Sequence, residues 1–391
     1  MAKHVLKPGS HTTWYVYSSG DTWTVSKGLD FDIYNGDGIS DTSAQYNSRF
    51  EIAGHITALD GEGLDLYGRN GSVYVSSSGV IQTAHGYGIA FEGSAYGGDV
   101  ENHGRIASDL GGISMTGSSP QQGHQNRAEV INFGRITGGS YGIDSRSDDL
   151  TVVNKRGGFI QGGQYGIGSV DNDVTVINHG TIRGGAQGAI LLNSGTDRLV
   201  NFGNIDGDVT LNNGNDTFVN RGGRVTGVIN AGVGADTYSV DSLALSLRED
   251  DFSDIDTVKS SVNWTLGDNF ERLVLTGHRA IGGTGSDDVD TIIGNDKNNV
   301  LAGMGGDDIL TGGAGADRFV FATLFGHDTI TDFDDGKDII DLRNYAGIDS
   351  LEDIADITGN RHKVTITLSD TDTATLSGIA SRDITAEDFL F

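Results

Sequence analysis

The sequence predicts an all-β fold in which short strands wind into a solenoid. Two sets of internal repeats support this prediction, one with a period of about 22–25 residues and one with a period of about nine. Composition agrees, because Gly accounts for 61 of 391 residues and Pro for only 2, which favours many tight turns. One coil of such a repeat buries little apolar surface alone, so stacked coils must supply the core.

The longer repeat carries an Asn at one fixed position. In "VINFGRI" (130–136) and "VINHGTI" (176–182), an apolar residue is followed by Asn, Gly and Ile at alternate positions. The asparagines are Asn102, Asn132, Asn154, Asn178, Asn201 and Asn220. A second ladder of Gly and an apolar residue runs from Gly63-Leu64 to Gly188-Ala189. These ladders predict a right-handed parallel β-helix of about seven coils over residues 50–240, after a strand-rich cap over 1–49. We expect the asparagines to hydrogen-bond from coil to coil and to adopt left-handed backbone at the corners.

The shorter repeat lies near the C-terminal end. Its four consecutive copies are "GSDDVDTII" (285–293), "GNDKNNVLA" (294–302), "GMGGDDILT" (303–311) and "GGAGADRFV" (312–320). Position one is always Gly, position six is acidic or Asn, and position eight is apolar. Each copy predicts a six-residue turn followed by a three-residue strand, so two copies form one coil and residues 18 apart stack. A parallel β-roll is therefore expected over residues 282–321, with spacer strands over 241–281.

The stacked acidic turns predict a cation site. Asp290 would lie over Asp308, and Asn299 over Asp317, and paired carboxylates repel each other strongly unless a cation lies between them. Carboxylate and carbonyl oxygens together favour Ca²⁺ over Zn²⁺ or Mg²⁺. The predicted ligand positions are Asp290, Asn299, Gly303, Gly305, Asp308, Gly312, Ala314, Asp317 and Asp328, with a further pair at Asp216 and Asp236. The stretch "NGDGISD" (35–41) is similar to an acidic cation loop, but as a lone match it favours a plain Gly/Asp turn.

Acidic charge is concentrated in the same region. The chain has 54 Asp and Glu against 26 Lys and Arg, a net charge of −28, and residues 282–391 alone carry 22 acidic and 7 basic residues, a net of −15. Such a charge excludes a nucleic-acid partner, because phosphate contacts need a basic surface. The absence of Cys excludes disulfides and thiolate metal sites. No apolar run of about 18 residues occurs, so we expect no membrane insertion.

The nonapeptides resemble the RTX family, the hemolysin-type calcium-binding repeat family, whose unit G-G-x-G-x-D-x-(apolar)-x builds a Ca²⁺-filled parallel β-roll. "GGAGADRFV" fits at every constrained position, whereas Met304 replaces the second Gly of its copy and Asn299 replaces the Asp. The resemblance implies a secreted protein whose β-roll folds on binding extracellular Ca²⁺. The ending "TAEDFLF" (385–391) is similar to RTX C-termini exported by type I secretion. Residues 322–391 would then be a C-terminal cap and an uncleaved secretion signal, in line with an N-terminus that does not predict a cleaved signal peptide.

Two classes of function remain open. The favoured one is a non-enzymatic surface, matrix or adhesion protein, whose partner would be an extracellular polysaccharide or a cell surface. The alternative is a polysaccharide lyase or C5-epimerase, for which Tyr141, Asp144 and Arg146 are the candidate catalytic residues. Tyr87, Tyr141 and Tyr165 recur at one coil position, which favours packing or sugar stacking over catalysis. The insertion at 117–125 is the candidate recognition loop. A membrane-active toxin is the least favoured alternative, because pore formers need long apolar or amphipathic helices, which this sequence does not offer. An HExxH metalloprotease is excluded, because that motif does not occur.

Overall fold

The computed structural model describes residues 2–7, 12–17, 19–41, 46–93, 97–116, 127–146, 149–170, 173–250 and 253–391. The chain divides into two compact units, unit 1 (Met1–Gly232) and unit 2 (Val233–Phe391). Each unit consists of short, mostly parallel strands that pair with the equivalent strand of the next coil. The predicted all-β solenoid class is therefore confirmed.

Unit 1 is a parallel β-helix with three faces, numbered in the order in which a coil visits them. The strands of the first face are Lys3–Val5, Thr22–Val25, Arg49–Ile52, Ser72–Val75, Asp99–Asn102, Arg127–Asn132, Asp149–Asn154, Val174–Asn178, Arg198–Asn201 and Thr217–Asn220. Those of the second face are Asp30–Ile33, His55–Ala58, Val80–Thr83, Arg105–Ser108, Arg135–Gly138, Phe159–Gly162, Thr181–Arg183, Asn204–Asp206 and Arg224–Val225. Those of the third face are Thr12–Val16, Asn35–Asp41, Leu64–Leu66, Tyr87–Phe91, Gly111–Met115, Tyr141–Ser145, Tyr165–Ser169, Ile190–Leu191, Val209–Thr210 and Val228–Asn230.

Ladders of apolar side chains form the core of unit 1. On the second face, Ile81, Ile106 and Ile136 stand in register on successive strands and are fully buried. On the third face the same is true of Ile143 and Ile167. In the next coil Ile167 pairs with Ile190 rather than with Ala189, and the third-face ladder continues through Val209 to Ile229. Each side chain is covered by its equivalents in the coils before and after it, which explains why one coil period recurs in the sequence.

The asparagine ladder lies inside unit 1, where the first face ends. Asn102 Nδ2 donates to Asn132 Oδ1 at 2.8 Å, Asn132 to Asn154 at 2.9 Å and Asn154 to Asn178 at 2.9 Å. The ladder continues to Asn201 at 2.9 Å. The predicted coil-to-coil hydrogen bonds are confirmed. The predicted left-handed backbone is wrong, because these asparagines end extended strands and the positive φ angles belong to other residues.

Replacing Asn154 with Ala is expected to destabilise unit 1 by about 2 kcal/mol. Its amide donates to Asn178 Oδ1, to Thr181 O at 3.1 Å and to Gly158 O at 3.3 Å, and it accepts from Asn132. The change leaves buried hydrogen-bond partners unsatisfied in the coils on both sides of Asn154. Each unsatisfied partner costs about 1–3 kcal/mol. Urea unfolding in excess Ca²⁺ measures the loss. The control is Asn204→Ala, whose side chain is exposed; an equal loss in both variants would contradict a special role for the ladder.

The first 49 residues are strand-rich as expected, but they form coils of the same helix. Lys3–Val5 pairs in parallel with Thr22–Val25, which pairs with Arg49–Ile52. Asn35–Asp41, expected to be a turn, is a third-face strand instead. No Asn occupies the ladder position on the described strands of these coils. Gly38-Ile39 does extend the second ladder by one coil, since Ile39 pairs with Leu64, and this step was missed.

Unit 2 is a two-sheet parallel roll with an antiparallel C-terminal part. Its first sheet contains Thr237–Val240, Thr257–Ser260, Arg272–Leu275, Thr291–Ile293, Ile309–Thr311 and His327–Ile330. Its second sheet contains Trp264–Thr265, Gly282–Thr284, Val300–Ala302, Arg318–Ala322, Ile339–Asn344 and Phe389–Leu390. Other elements are the strands Ser246–Arg248, Asp356–Gly359, Lys363–Thr367 and Thr373–Ser377 and the 3-10 helices Leu351–Asp353 and Ala386–Asp388. The short helix expected over 350–357 is thus a single 3-10 turn followed by a strand.

The nonapeptides pair with the predicted offset. Thr291 stands opposite Ile309, and Val300 opposite Arg318, both 18 residues apart. The position-eight residues Ile292, Leu301, Leu310 and Phe319 are fully buried. No helix of the described residues has the length and apolar character needed to cross a bilayer.

Candidate metal centre

Two rows of acidic turns run along unit 2, one at the start of each sheet's strands. The first row includes Asp290, Asp308 and Asp328, and the second includes Asp317 and Asp338. Asp290, Asp308, Asp317 and Asp328 are each only 1% exposed. Stacking in register therefore takes these carboxylates out of water, as the alternation of strand and turn in the nonapeptides predicts.

One oxygen of each carboxylate is used by the fold itself. Asp308 Oδ1 accepts the backbone N–H of Asp290 at 2.7 Å, and Asp328 Oδ1 accepts that of Asp308 at 3.0 Å. In the second row, Asp317 Oδ1 accepts the backbone N–H of Asn299 at 2.7 Å. Asp308, Asp328 and Asp317 thus satisfy the backbone of the preceding coil, a structural role that the sequence argument did not anticipate. Asp290 differs, because its Oδ2 accepts the backbone N–H of Ser286 in its own turn at 2.6 Å.

The other oxygen of each of these carboxylates does not take part in such a hydrogen bond. Asp290 Oδ1, Asp308 Oδ2, Asp317 Oδ2 and Asp328 Oδ2 are buried, and no hydrogen-bond donor reaches them within the part of the chain that the structure describes. A buried carboxylate oxygen without a donor is strongly disfavoured unless a proton or a cation compensates it. The residues present therefore fit a cation with oxygen ligands.

Burial changes the acidity of these groups. It raises the pKa of Asp308 to about 7, against the opposing effect of the Asp290 N–H, and the charges of Asp290 and Asp307 raise it further. Burial likewise raises the pKa of Asp328 to about 8, with the charges of Asp308 and Asp307 adding to it. Without a cation, these carboxyls would compete for protons near neutral pH.

The position-one glycines make room for the acidic oxygens. A Cβ added at Gly312 would lie 2.6 Å from Asp317 Oδ2, and one at Gly303 would collide with Asp308 Oδ2. A Cβ at Gly285 would lie 2.6 Å from Asp290 Oδ2 and would also collide with the Gly303 carbonyl oxygen. Carboxylate and carbonyl oxygens therefore surround a cradle that only Gly leaves open. Of the other two predicted carbonyl donors, Gly305 is half-buried and Ala314 is exposed, and their role as ligands stays a prediction.

Asn299 differs from the acidic residues at its position. Its Oδ1 accepts the backbone N–H of Asn295 at 2.8 Å, and its Nδ2 donates to Ile281 O at 2.8 Å. Both ends of its amide are engaged in the fold. Asn299 is therefore expected to contribute less to an ion than the aspartates do, as its lack of charge also predicts.

Met304 occupies a backbone conformation that favours Gly. Its φ is 81°, close to the 88° of Gly313 at the same position of the next nonapeptide. A side chain with a Cβ is strained there. We expect Met304→Gly to stabilise unit 2 by about 1 kcal/mol, partly offset by the greater freedom of the unfolded chain. Urea midpoints in excess Ca²⁺ measure the gain, and Met304→Ala, which keeps a Cβ, is the control that should show no comparable gain.

Asp216 and Asp236 lie in different units, so an ion shared by them stays a prediction. Within unit 1, Asp216 Oδ1 accepts the backbone N–H of Asp197 at 2.7 Å, and Asp197 Oδ1 accepts that of Val174 at 2.7 Å. Asp197 repeats the arrangement of the nonapeptide aspartates but was missed. The signal was present in "LNSGTDRLV" (192–200), which has Gly, Asp and Leu at positions four, six and eight.

Within unit 2, Asp236 belongs to a second acidic group. Carboxylate oxygens of Asp236, Glu249 and Asp256 lie within 4.8 Å of one another, and all three side chains are buried. Asp256 Oδ1 also accepts the backbone N–H of Asp236 at 2.7 Å. Sequence reasoning missed Glu249 and Asp256, because the coil between residues 237 and 257 is irregular in length and gives no repeat signal.

The residues of the enzyme alternative form a structural cluster on the third face of unit 1. Asp144 is almost fully buried, and its Oδ2 accepts from the Tyr87 hydroxyl at 3.0 Å and from Arg146 Nε at 3.1 Å. Tyr141 instead stacks on Tyr165, with ring centroids 6.0 Å apart. Burial, and then the charge of Asp144, raises the pKa of Tyr87 well above its usual range, which disfavours a phenolate base. The candidate loop at 117–125 lies outside the described residues.

Comparison with known families agrees with this geometry. Residues 284–319 match the family model of the RTX calcium-binding nonapeptide repeat in four copies. The chain carries RTX repeats. The matched segment, called the RTX array below, contains Asp290, Asn299, Asp308 and Asp317. No curated protein matches the chain.

Proposed function

We propose that this is an extracellular protein whose unit 2 folds when Ca²⁺ binds to the RTX array. The observation that carries the proposal is a set of buried carboxylate oxygens, at Asp290, Asp308, Asp317 and Asp328, that receive no hydrogen bond from any described residue. RTX repeats are calcium-binding motifs, and proteins that contain them are generally extracellular. The proposed ligands are these carboxylates together with backbone carbonyls of the turns, including those of Gly303 and Gly312.

The ion supplies the positive charge that the stacked turns lack. In a cell interior with little free Ca²⁺, the carboxylates repel one another and disfavour the stacked state. Outside, Ca²⁺ at millimolar concentration binds the folded turns, and its binding free energy becomes folding free energy. A chain that is unfolded inside and folded outside is suited to passage through a secretion channel.

The segment 385–391 is the proposed type I export signal, because of its similarity to RTX C-termini. Asp388 is buried, its Oδ2 accepts the backbone N–H of Thr385 at 2.7 Å, and the next two residues pair with Ile340 and Asp341. In the folded protein this segment is therefore part of the second sheet. A signal located here would be accessible only before folding, so Ca²⁺-driven folding outside the cell would make export irreversible.

We further propose a non-enzymatic role in adhesion or matrix assembly. The Tyr87–Asp144–Arg146 cluster favours this role over catalysis, because its groups satisfy one another and the tyrosine pKa is raised rather than lowered. The partner class is an acidic or neutral extracellular polysaccharide, which would lie along the tyrosines of the third face.

The test is incubation of the Ca²⁺-loaded protein with a panel of uronate and neutral polysaccharides. We expect retention on at least one polymer, loss of retention in Tyr141→Ala, and no unsaturated product at any enzyme concentration. Turnover that disappears in Arg146→Ala would instead establish the enzyme alternative.

A further inference from the structure

A stripe of aromatic and basic side chains runs along the outside of unit 1, at the corner where the first face ends. Each member directly follows an asparagine of the ladder. Its backbone N–H donates to the coil before it, as when Lys155 donates to Asn132 O at 2.8 Å. The members therefore stand in register on six successive coils. This corner stripe consists of His103, Phe133, Lys155, His179, Phe202 and Arg221.

The order of residue types in the corner stripe repeats after three coils. His103 stacks on Phe133, with ring centroids 4.3 Å apart and planes inclined by 9°, and Lys155 Nζ lies 6.0 Å from the centre of the same ring. Because neighbouring strands are about 4.8 Å apart, the group recurs after about 14 Å along the helix axis. The second group has a ring separation of 4.4 Å and a cation distance of 6.0 Å, and it consists of His179, Phe202 and Arg221.

Basic residues of the second face widen the corner stripe. Arg135 Cζ lies 4.2 Å from the centre of the Phe159 ring, and Arg183 Cζ lies 5.8 Å from it. Between each ladder asparagine and the end of the second-face strand that follows it, the six coils carry seven basic residues and one acidic residue, Asp206. This edge of unit 1 is thus positive in a protein whose net charge is −28.

Most of these cations have no acidic neighbour. Arg183 and Arg224 lie 2.8 and 3.8 Å from carboxylate oxygens of Asp206, and Glu101 lies 2.7 Å from His103 Nε2 at the first coil of the stripe. Five further cations form no ion pair with any acidic residue that the structure describes: Arg105, Arg135, Lys155, Arg156 and Arg221. Their charges are therefore left for an acidic ligand to compensate.

An open groove lies over the second half of the corner stripe. It has a volume of about 380 Å³, and it is lined by Phe159, His179, Phe202 and Arg224, which belong to four successive coils. Corner glycines such as Gly180 also line it, so part of its surface is backbone. Four coils cover three strand spacings, about 14 Å along the helix axis. A groove of this length suits a segment of a polymer better than a small anion.

The rings of the corner stripe are open to water. Phe133 and Phe202 are 41% and 37% exposed. A sugar ring that stacks on an exposed phenyl ring covers its apolar face. A guanidinium beside that ring binds a carboxylate through two parallel N–H groups. The combination of ring and cation therefore favours a sugar that carries a carboxylate.

We propose that the corner stripe binds a polyuronate, an acidic polysaccharide with one carboxylate on each sugar ring, and that the polymer chain lies parallel to the axis of the β-helix. The regular alternation of rings and cations matches a polymer whose rings and charges also alternate regularly. The stripe is separate from the tyrosines of the third face. The inference rests on the proposed adhesion role only in its choice of a polysaccharide as the partner.

The test is isothermal titration calorimetry of the Ca²⁺-loaded full chain with a soluble oligouronate. We expect Lys155→Ala/Arg221→Ala, which removes both cations of the repeated group, to raise Kd by about 10-fold. The matched control is Lys259→Ala/Arg272→Ala, which removes one Lys and one Arg from exposed positions of unit 2 and should leave Kd unchanged. Phe133→Ala/Phe202→Ala, which keeps every charge, should also raise Kd by about 10-fold.

A methyl-esterified oligouronate separates this proposal from that for the third face. The ester has the same rings without charge, so its Kd should be the same for the unaltered chain and for Lys155→Ala/Arg221→Ala. Loss of neutral-polymer binding in Tyr141→Ala concerns the third face alone. The proposal is overturned if the unaltered chain binds no oligouronate, or if both stripe variants bind it as tightly as the unaltered chain. Self-association in analytical ultracentrifugation that disappears in Lys155→Ala/Arg221→Ala would also overturn it, because the stripe would then bind an acidic surface of a second copy.

Discussion

Withdrawal of Ca²⁺ is expected to unfold the RTX array while the β-helix of unit 1 keeps most of its strands. The array buries three carboxylate oxygens, at Asp290, Asp308 and Asp317, to which no described residue donates, and Asp328 adds a fourth beyond its end, so the folded state depends on a cation there. At a free Ca²⁺ concentration of about 100 times Kd, each site contributes about 2.7 kcal/mol to folding, and chelation removes it. Unit 1 is held by its asparagine and isoleucine ladders, which use no ion.

Hydrogen exchange read out by peptide mass spectrometry measures this result. In chelator, we expect rapid exchange over Thr291–Ile293 and Ile309–Thr311, whereas Asp149–Asn154 stays protected. Addition of Ca²⁺ should restore protection of the array, and addition of Mg²⁺ at equal concentration should not, because Mg²⁺ demands a tighter octahedral site. Equal protection of the array in chelator and in Ca²⁺ would contradict the proposed function.

The pH dependence of stability without Ca²⁺ provides an independent check that the buried carboxyls need a compensating charge. Asp308 and Asp328 have folded-state pKa values of about 7 and about 8, above the ordinary value, so the folded state binds more protons than the unfolded state between about pH 4 and 8. In chelator, stability of the array must therefore fall as pH rises through this range. In saturating Ca²⁺ the trend should reverse, since protons compete with the ion at low pH.

The Asp308→Asn variant is expected to show the second largest effect. The amide keeps an oxygen that can accept the Asp290 N–H, so the backbone ladder survives, but the negative charge at the ion is lost. We expect the Ca²⁺ concentration at half-folding to rise by about 100-fold, which corresponds to about 2.7 kcal/mol. Ca²⁺ titration followed by far-UV circular dichroism measures the shift.

The same variant should be more stable than the unaltered chain in chelator at pH 8. There the substitution removes a buried charge that no cation compensates, and thus the sign of the effect reverses. The control is Asp288→Asn, which makes the same charge change at an exposed residue of the array and should shift the titration little. If Asp308→Asn weakened the fold equally in Ca²⁺ and in chelator, Asp308 would be a structural residue alone.

Much of the fold follows from side chains that recur once per coil. Stacked coils place equivalent residues over one another, so a residue that is buried in one coil is buried in the next, and its type repeats in the sequence. The Asn ladder, the second-face isoleucines and the 18-residue offset of the nonapeptides were predictable for this reason. The first 49 residues lack the Asn ladder, and the Gly38-Ile39 step of the second ladder was missed, so their architecture emerged from strand pairing.

The individual side-chain hydrogen bonds at the acidic turns and on the third face could not be predicted from the sequence. The nonapeptides predicted which aspartates stack, but not that one oxygen of Asp308 and one of Asp328 would hold the backbone of the preceding coil. Tyr141 and Asp144 were grouped as candidate catalytic residues, yet Tyr87 makes the hydrogen bond to Asp144 from two coils away. The Tyr87 side chain extends along the axis of the β-helix. Residue spacing within one coil does not reveal contacts in that direction.

By itself, then, the amino-acid sequence determined the solenoid class, the coil periods and the acidic positions of the RTX array, because each is a repeated local pattern of turn, strand and burial. The tertiary structure alone decided which carboxylate oxygens are engaged and how Asp236 meets Glu249 and Asp256. These arrangements join residues from coils of unlike sequence, and only the stacking of complete coils brings them within reach of one another.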